Sequence, residues 1–146
     1  MRVFLTKLSC GLICALATIA LVPPLDVPTS PVRATLLELH DGDTAKVDIH
    51  LPFDVDLPKR SVRAFGYDAW EITKTRQTVQ VTDAEIIKGK KARNELLTLI
   101  ESGELYLEDS GKRDPYGRAS AWLWVKRPAG WVNVAQWMTE KGHVRK

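Results

Sequence analysis

The chain has 146 residues, 45% of them hydrophobic and 27% charged, and a formal net charge of +3. That length allows one compact core with a short appendage, and the composition excludes a disordered chain and a multi-span membrane protein. A net charge of +3 is too small to argue for nucleic acid by itself, so any such argument rests on where particular charges sit.

Arg2 and Lys7 precede an uncharged run from Leu8 to Leu25, which breaks at Pro23-Pro24 and passes into an extended, proline-rich stretch. Basic, then apolar, then extended is the order of a secretory leader. A single uncleaved anchor is the alternative, although the run is short for a membrane span. Residues 1–25 are therefore read as a signal peptide or membrane anchor, 26–32 as a proline-rich linker, and 33–146 as one folded domain. Both readings put that domain outside the cytoplasm, secreted or periplasmic, with membrane attachment through the N-terminal segment if the leader is retained. Cys10 and Cys14 both lie in the leader, which leaves the domain no thiol for a disulfide, a nucleophile or a sulfur metal site.

Val32 to Leu39 reads as a strand, and Asp41-Gly42-Asp43-Thr44 reverses the chain into a second strand, Thr44 to His50. Leu51 to Lys59, with two prolines and alternating acids, reads as a loop, and Ser61 to Tyr67 as a third strand. Thr82-Asp83-Ala84-Glu85 has the side chains of a capping box, so a helix follows. Ala92, Leu96, Leu99 and Ile100 recur at the spacing of its buried face, with Lys88, Lys90, Lys91 and Arg93 on a wet side able to attract a nucleic-acid backbone. Ser102-Gly103 ends it. Glu104 to Asp109 and Arg118 to Val125 alternate as two further strands, and Asn133 caps a second helix that stops at Gly142. The order of three strands, helix, two strands and helix predicts an α+β fold, mainly β: a five-stranded OB-type Greek-key barrel with two helices.

Four polar clusters fall at strand ends. Asp41-Gly42-Asp43-Thr44 is by itself a good turn. Arg63 sits in a strand otherwise rich in apolar residues, as an edge or snorkelling side chain or as a ligand group. Asp68-Ala69-Trp70-Glu71 is a solvated loop or a pair of working carboxylates. Asp114-Pro115-Tyr116-Gly117-Arg118 is a tight turn followed by an arginine. Together they supply hard oxygen donors and two separated guanidinium groups, the requirements of metal-assisted phosphodiester hydrolysis. His40, His50 and His143 lack metal-ligand spacing and read as surface residues, and Trp122, Trp124, Trp131 and Trp137 read mainly as packing.

In order and approximate spacing, Asp41-Gly42-Asp43-Thr44, Val62-Arg63-x-x-Gly66-x-Asp68-x-x-Glu71, Asp114-x-Tyr116-Gly117-Arg118 and Trp131-Val132-Asn133 resemble the staphylococcal nuclease (thermonuclease) domain over about Thr35 to Gly142. Trp70 stands where that family usually has proline, and Pro115 where it often has a basic residue. The chain ends at Lys146, so the resemblance is to a short form without the third helix. It implies a Ca2+ site formed by Asp43, Asp68 and the carbonyl of Ala69, with Asp41 and Thr44 supporting it. It implies that Glu71 positions or deprotonates water, that Arg63 and Arg118 clamp the phosphate, and that Tyr116 lies beside the nucleotide. The expected protein is a monomeric, calcium-dependent nuclease of little sequence specificity acting on DNA or RNA. The alternatives are an OB-fold nucleic-acid-binding module without catalysis and a partner-binding domain.

Overall fold

A computed structural model describes residues 26–74 and 80–145. The leader expected over residues 1–25 lies outside the described residues. The elements in chain order are β1 (Val32–Leu39), β2 (Thr44–Leu51), β3 (Val55–Ala64), α1 (Asp83–Glu101), β4 (Glu104–Arg113), β5 (Ala119–Arg127), β6 (Gly130–Asn133) and α2 (Val134–Glu140). Among the described residues no helix is long and apolar enough to cross a membrane.

Five strands in the order β3-β2-β1-β4-β5 close on themselves through a parallel pairing of β3 with β5, so the barrel is mixed. The other pairings are antiparallel, with Thr44 opposite Arg63 across β2 and β3, and Leu107 opposite Leu123 across β4 and β5. This is the expected α+β, OB-type barrel with two helices. Alternation explains the core: Ala45, Val47, Val62, Ala64, Leu105, Leu107, Leu123 and Val125 point inward, while Lys46, Ser61 and Lys126 point out.

The expected boundaries fail at one corner. Leu51 to Lys59 is not a loop, because β2 continues to Leu51 and β3 already begins at Val55. The hairpin between them turns on Phe53 and Asp54, both left-handed (φ 65° and 58°), where glycine or asparagine is the usual signal. Pro58 and the left-handed Lys59 (φ 53°) sit in β3 where the β2–β3 register shifts, a bulge that spares proline a ladder hydrogen bond. The third strand ends at Ala64 instead of Tyr67. β6, four residues paired antiparallel with β5 outside the closed barrel, was not anticipated.

Helix α1 begins as expected. The Thr82 hydroxyl accepts from the Glu85 N–H at 3.3 Å, and the Glu85 carboxylate accepts from the Thr82 N–H at 2.7 Å. Its buried face is Gly89, Ala92, Leu96, Leu99 and Ile100. Leu96 and Leu99 are fully buried, each contributing about 1.5–3 kcal/mol. Asn133 Oδ1 caps α2 by accepting from the Gln136 N–H at 3.1 Å. The stretch expected as a linker is tied to the barrel: the backbone N–H groups of Thr29 and Ser30 donate to Glu108 at 2.9 and 3.1 Å, and Val32 already belongs to β1.

Candidate functional site

The β1–β2 turn is shaped by its own carboxylate, as Asp41 Oδ1 accepts from the Asp43 N–H at 3.0 Å. The Tyr67 hydroxyl donates to the Gly42 carbonyl at 2.7 Å. Burial, followed by the nearby charges of Asp43 and Asp41, pushes the Tyr67 hydroxyl up, so it stays protonated as a donor. A Cβ at Gly42 would lie 2.7 Å from Ala69 Cβ and 3.2 Å from Ala92 Cβ. Only glycine lets this turn press against both the segment after β3 and helix α1.

That contact brings the Asp43 side chain to Arg63 and Ala69. Asp43 is 5% exposed, and its Oδ2 accepts from the Ala69 N–H at 2.8 Å. Its Oδ1 accepts from the Thr44 hydroxyl at 3.0 Å. Arg63 projects from the β3 position opposite Thr44 and meets both oxygens, Nη1 to Oδ1 at 3.2 Å and Nη2 to Oδ2 at 3.2 Å. Arg63 Nη2 also donates to Asp68 Oδ1. One guanidinium therefore bridges a buried and a half-exposed carboxylate. Burial works against its charge, but Asp43 and then Asp68 outweigh burial and raise the Arg63 pKa.

The chain after α2 returns to Asp68. Val144 pairs with Ala69 in an isolated antiparallel bridge, the Arg145 N–H donates to the Asp68 carbonyl at 2.8 Å, and Arg145 Nη2 lies 3.8 Å from Asp68 Oδ2. Glu71, two residues past Ala69, is half-buried, and its carboxylate has no hydrogen-bond or ion-pair partner among the described residues. The backbone around it is fixed by α1. A Cβ at Gly89 would lie 2.3 Å from the Glu71 carbonyl oxygen and 2.6 Å from that of Trp70. The helix can pack against this segment only because position 89 has no side chain.

Arg118 comes from the other side of the barrel closure, one residue before Ala119, which pairs with Val62. Asp114 organises the turn before it, accepting from the N–H groups of Tyr116 and Arg118 at 3.0 and 2.8 Å and from Arg118 Nε at 2.5 Å. Burial opposes ionisation of Asp114, but these bonds and the Arg118 charge hold its carboxyl below the usual range. Tyr116 is exposed, with the Arg118 guanidinium carbon 5.5 Å from its ring centre. Arg118 lines a groove of about 360 Å3 with Thr44, Lys46, Lys59, Glu38 and His40. Thr44 is thus the link between this groove and Asp43. No direct bond joins Arg118 to the Asp43–Arg63–Asp68 group.

The structure joins Asp41, Asp43, Thr44, Arg63, Asp68 and Ala69 through bonds, and sets Glu71, Arg118 and Tyr116 on adjoining segments. Sequence reasoning missed Tyr67, Gly89 and Arg145. A small residue amid the lysines of a helix is a faint signal for Gly89; nothing local marks the other two.

Among the described residues no three His, Cys, Asp or Glu side chains form a ready-made metal cluster. Asp43 and Asp68 nevertheless direct oxygens at one positive centre, Arg63, and an all-oxygen donor set with a neighbouring carbonyl suits a hard divalent cation. Burial, followed by the Asp41 charge, pushes the Asp43 carboxyl up to about 6, against the opposing Ala69 N–H and Arg63 charge. A larger concavity, about 620 Å3, lies elsewhere, against Trp122, Trp124 and α2. Glu108, Asp109 and Glu140 on its walls repel phosphate, so size does not locate this chemistry. No protein-family model matches the chain, and no curated protein matches it at a significant level.

Proposed function

We propose that this chain is an exported, calcium-dependent phosphodiesterase of the staphylococcal nuclease type that hydrolyses DNA or RNA with little sequence specificity. The observation that carries the reading is the convergence of Asp43 and Asp68 on Arg63, with the Ala69 N–H on Asp43. An acidic pair beside a guanidinium is what phosphate chemistry uses and what a polyanion-binding surface alone does not need.

Asp43, Asp68 and the Ala69 carbonyl would hold the cation, and Asp41 and Thr44 would keep Asp43 in place. When bound, Ca2+ would polarise the phosphate and make water more acidic. Glu71, an unpaired carboxylate, is suited to orient an attacking water and take its proton. Arg63 and Arg118 present planar donor forks, which address two phosphate oxygens at once and neutralise the charge that grows on them. To do so Arg63 would exchange carboxylate oxygens for phosphate oxygens, and Tyr116, on an exposed turn, would flank a nucleotide. The leader would deliver the protein to the periplasm or medium.

One observation favours the non-catalytic binding module. Both arginines are already satisfied by carboxylates, Arg63 by Asp43 and Asp68, and Arg118 by Asp114. Hydrolysis of single-stranded DNA, duplex DNA and RNA, with calcium or with chelator, separates the two. Calcium-dependent cleavage that disappears in Glu71→Gln supports the enzyme. Nucleic-acid binding by folded protein without cleavage supports the module.

A further inference from the structure

Trp70, Lys88, Lys91, Lys141, His143 and Val144 line a groove of about 420 Å3. Among the described residues none of its walls carries an acidic side chain. Trp70 is half-buried and keeps one amphipathic ring at the groove, with Lys88 Nζ 4.9 Å from its centre. Lys88 and Lys91 come from α1, one turn apart, and Lys141 caps α2. Three ammonium groups from two helices thus surround one indole and one imidazole. Lys141 Nζ also lies 5.7 Å from the Trp137 ring, and that ring is 6.5 Å from His143. Burial lowers the His143 pKa; the Glu95 charge opposes this, and the Lys91 and Lys141 charges add to it.

We propose that this groove binds single-stranded nucleic acid, with a base stacked on Trp70 and backbone phosphates paired with Lys88, Lys91 and Lys141. A flat aromatic surface beside a basic wall is the general arrangement for unpaired strands, because every base has a stacking face while a duplex hides its own. Lys88 lies over the ring and makes no ion pair within 4 Å among the described residues, so it can pass from the indole to a phosphate as a base arrives. The groove borders the candidate site along the chain. Trp70 joins Ala69 to Glu71, and Val144 pairs with Ala69. A strand held here would lie beside the backbone that carries Asp68 and Glu71. The inference rests on the nuclease reading and adds to it a second place of attachment for an unpaired strand, away from the carboxylates.

The test is binding of a fluorescein-labelled oligothymidylate by the full-length chain in chelator, followed by anisotropy across a salt series. Trp70→Ala is expected to weaken binding about tenfold, and Trp70→Phe to recover most of it, since stacking needs only a ring. The Lys88→Ala/Lys91→Ala variant is expected to lower the slope of log affinity against log salt by about 1.4. A duplex of equal length should lose less than the single strand in Trp70→Ala. Unchanged affinity and salt slope in the Trp70→Ala and double-lysine variants, while the parent binds and cleaves DNA, overturns this inference and leaves the nuclease reading standing. A parent that neither binds nor cleaves overturns both. Loss of binding to phosphatidylglycerol vesicles but not to oligothymidylate in the lysine variant would reassign the groove to a lipid surface.

Discussion

Arg63 and Asp43 face each other as a two-pronged pair, Nη1 to Oδ1 and Nη2 to Oδ2, both at 3.2 Å, across the first rung of the β2–β3 ladder. A lysine ammonium is a point donor and cannot keep both prongs or span to Asp68 as well. On the function proposed above, Arg63→Lys is expected to lower kcat on DNA by about 100- to 1000-fold, the usual cost of losing an oriented charge-stabilising donor. Circular dichroism and steady-state hydrolysis of the same preparation would check that the loss is not unfolding. Arg63→Ala also leaves Asp43 buried without its cation, and is expected to cost about 1–3 kcal/mol in urea denaturation.

The buried Asp43 carboxyl, pushed up to about 6, makes metal-free stability depend on pH. The folded state holds this proton more tightly than an unfolded chain, whose value is near 3.8. The contribution is therefore fully present below 3.8 and is lost as pH rises through about 6. In chelator, Asp43→Asn removes this term. The difference in Tm between variant and parent should shift in favour of Asn from pH 4 to pH 6 and level off above. A difference that is flat across this window would count against the burial argument.

Gly89→Ala tests the helix that supports Glu71. Alanine improves intrinsic helix propensity by up to about 1 kcal/mol, yet the new Cβ would lie 2.3 Å from the Glu71 carbonyl oxygen. The clash is with backbone and is not relieved by a rotamer. Net destabilisation of about 1–3 kcal/mol is expected in urea titration, together with reduced hydrolysis as the Trp70–Glu71 segment shifts. An exposed control, Asn94→Ala on the same helix, should stabilise slightly or do nothing.

Thr82→Ala removes the hydroxyl that accepts from Glu85. A loss of about 1 kcal/mol is expected by thermal or urea unfolding. Hydrolysis under native conditions should be preserved, because the cap acts on the start of α1 rather than on Gly89.

The features legible in the sequence were those written locally. The Thr82–Glu85 box, the Ala92–Leu96–Leu99 spacing and the Asn133 cap each lie within one or two helical turns, and each reads directly onto its element. The β2–β3 hairpin did not, because Phe53 and Asp54 adopt left-handed conformations without glycine, and Pro58 reads as a breaker until its bulge is seen. In the candidate site, Asp41, Asp43, Arg63 and Asp68 stood out as polar residues in or beside apolar strands. Tyr67, Gly89 and Arg145 matter through contacts made by closure of the barrel and by the return of the chain after α2, which no short window contains. His50, read as a surface residue, is half-buried and ties β2 to β3 through Asp56 Oδ1 at 2.8 Å.

The bridge between Ala69 and Val144 also has a consequence in time. Asp68 acquires its anchor at Arg145 only when residues near the far end of the fold have joined the barrel. A chain that emerges N-terminus first, from a ribosome or through a translocation pore, carries Asp43 and Arg63 long before that segment arrives. The Arg145 contact to Asp68 is completed last, so on the function proposed above nascent or half-exported molecules would pass the nucleic acid of their own cell before that brace is in place.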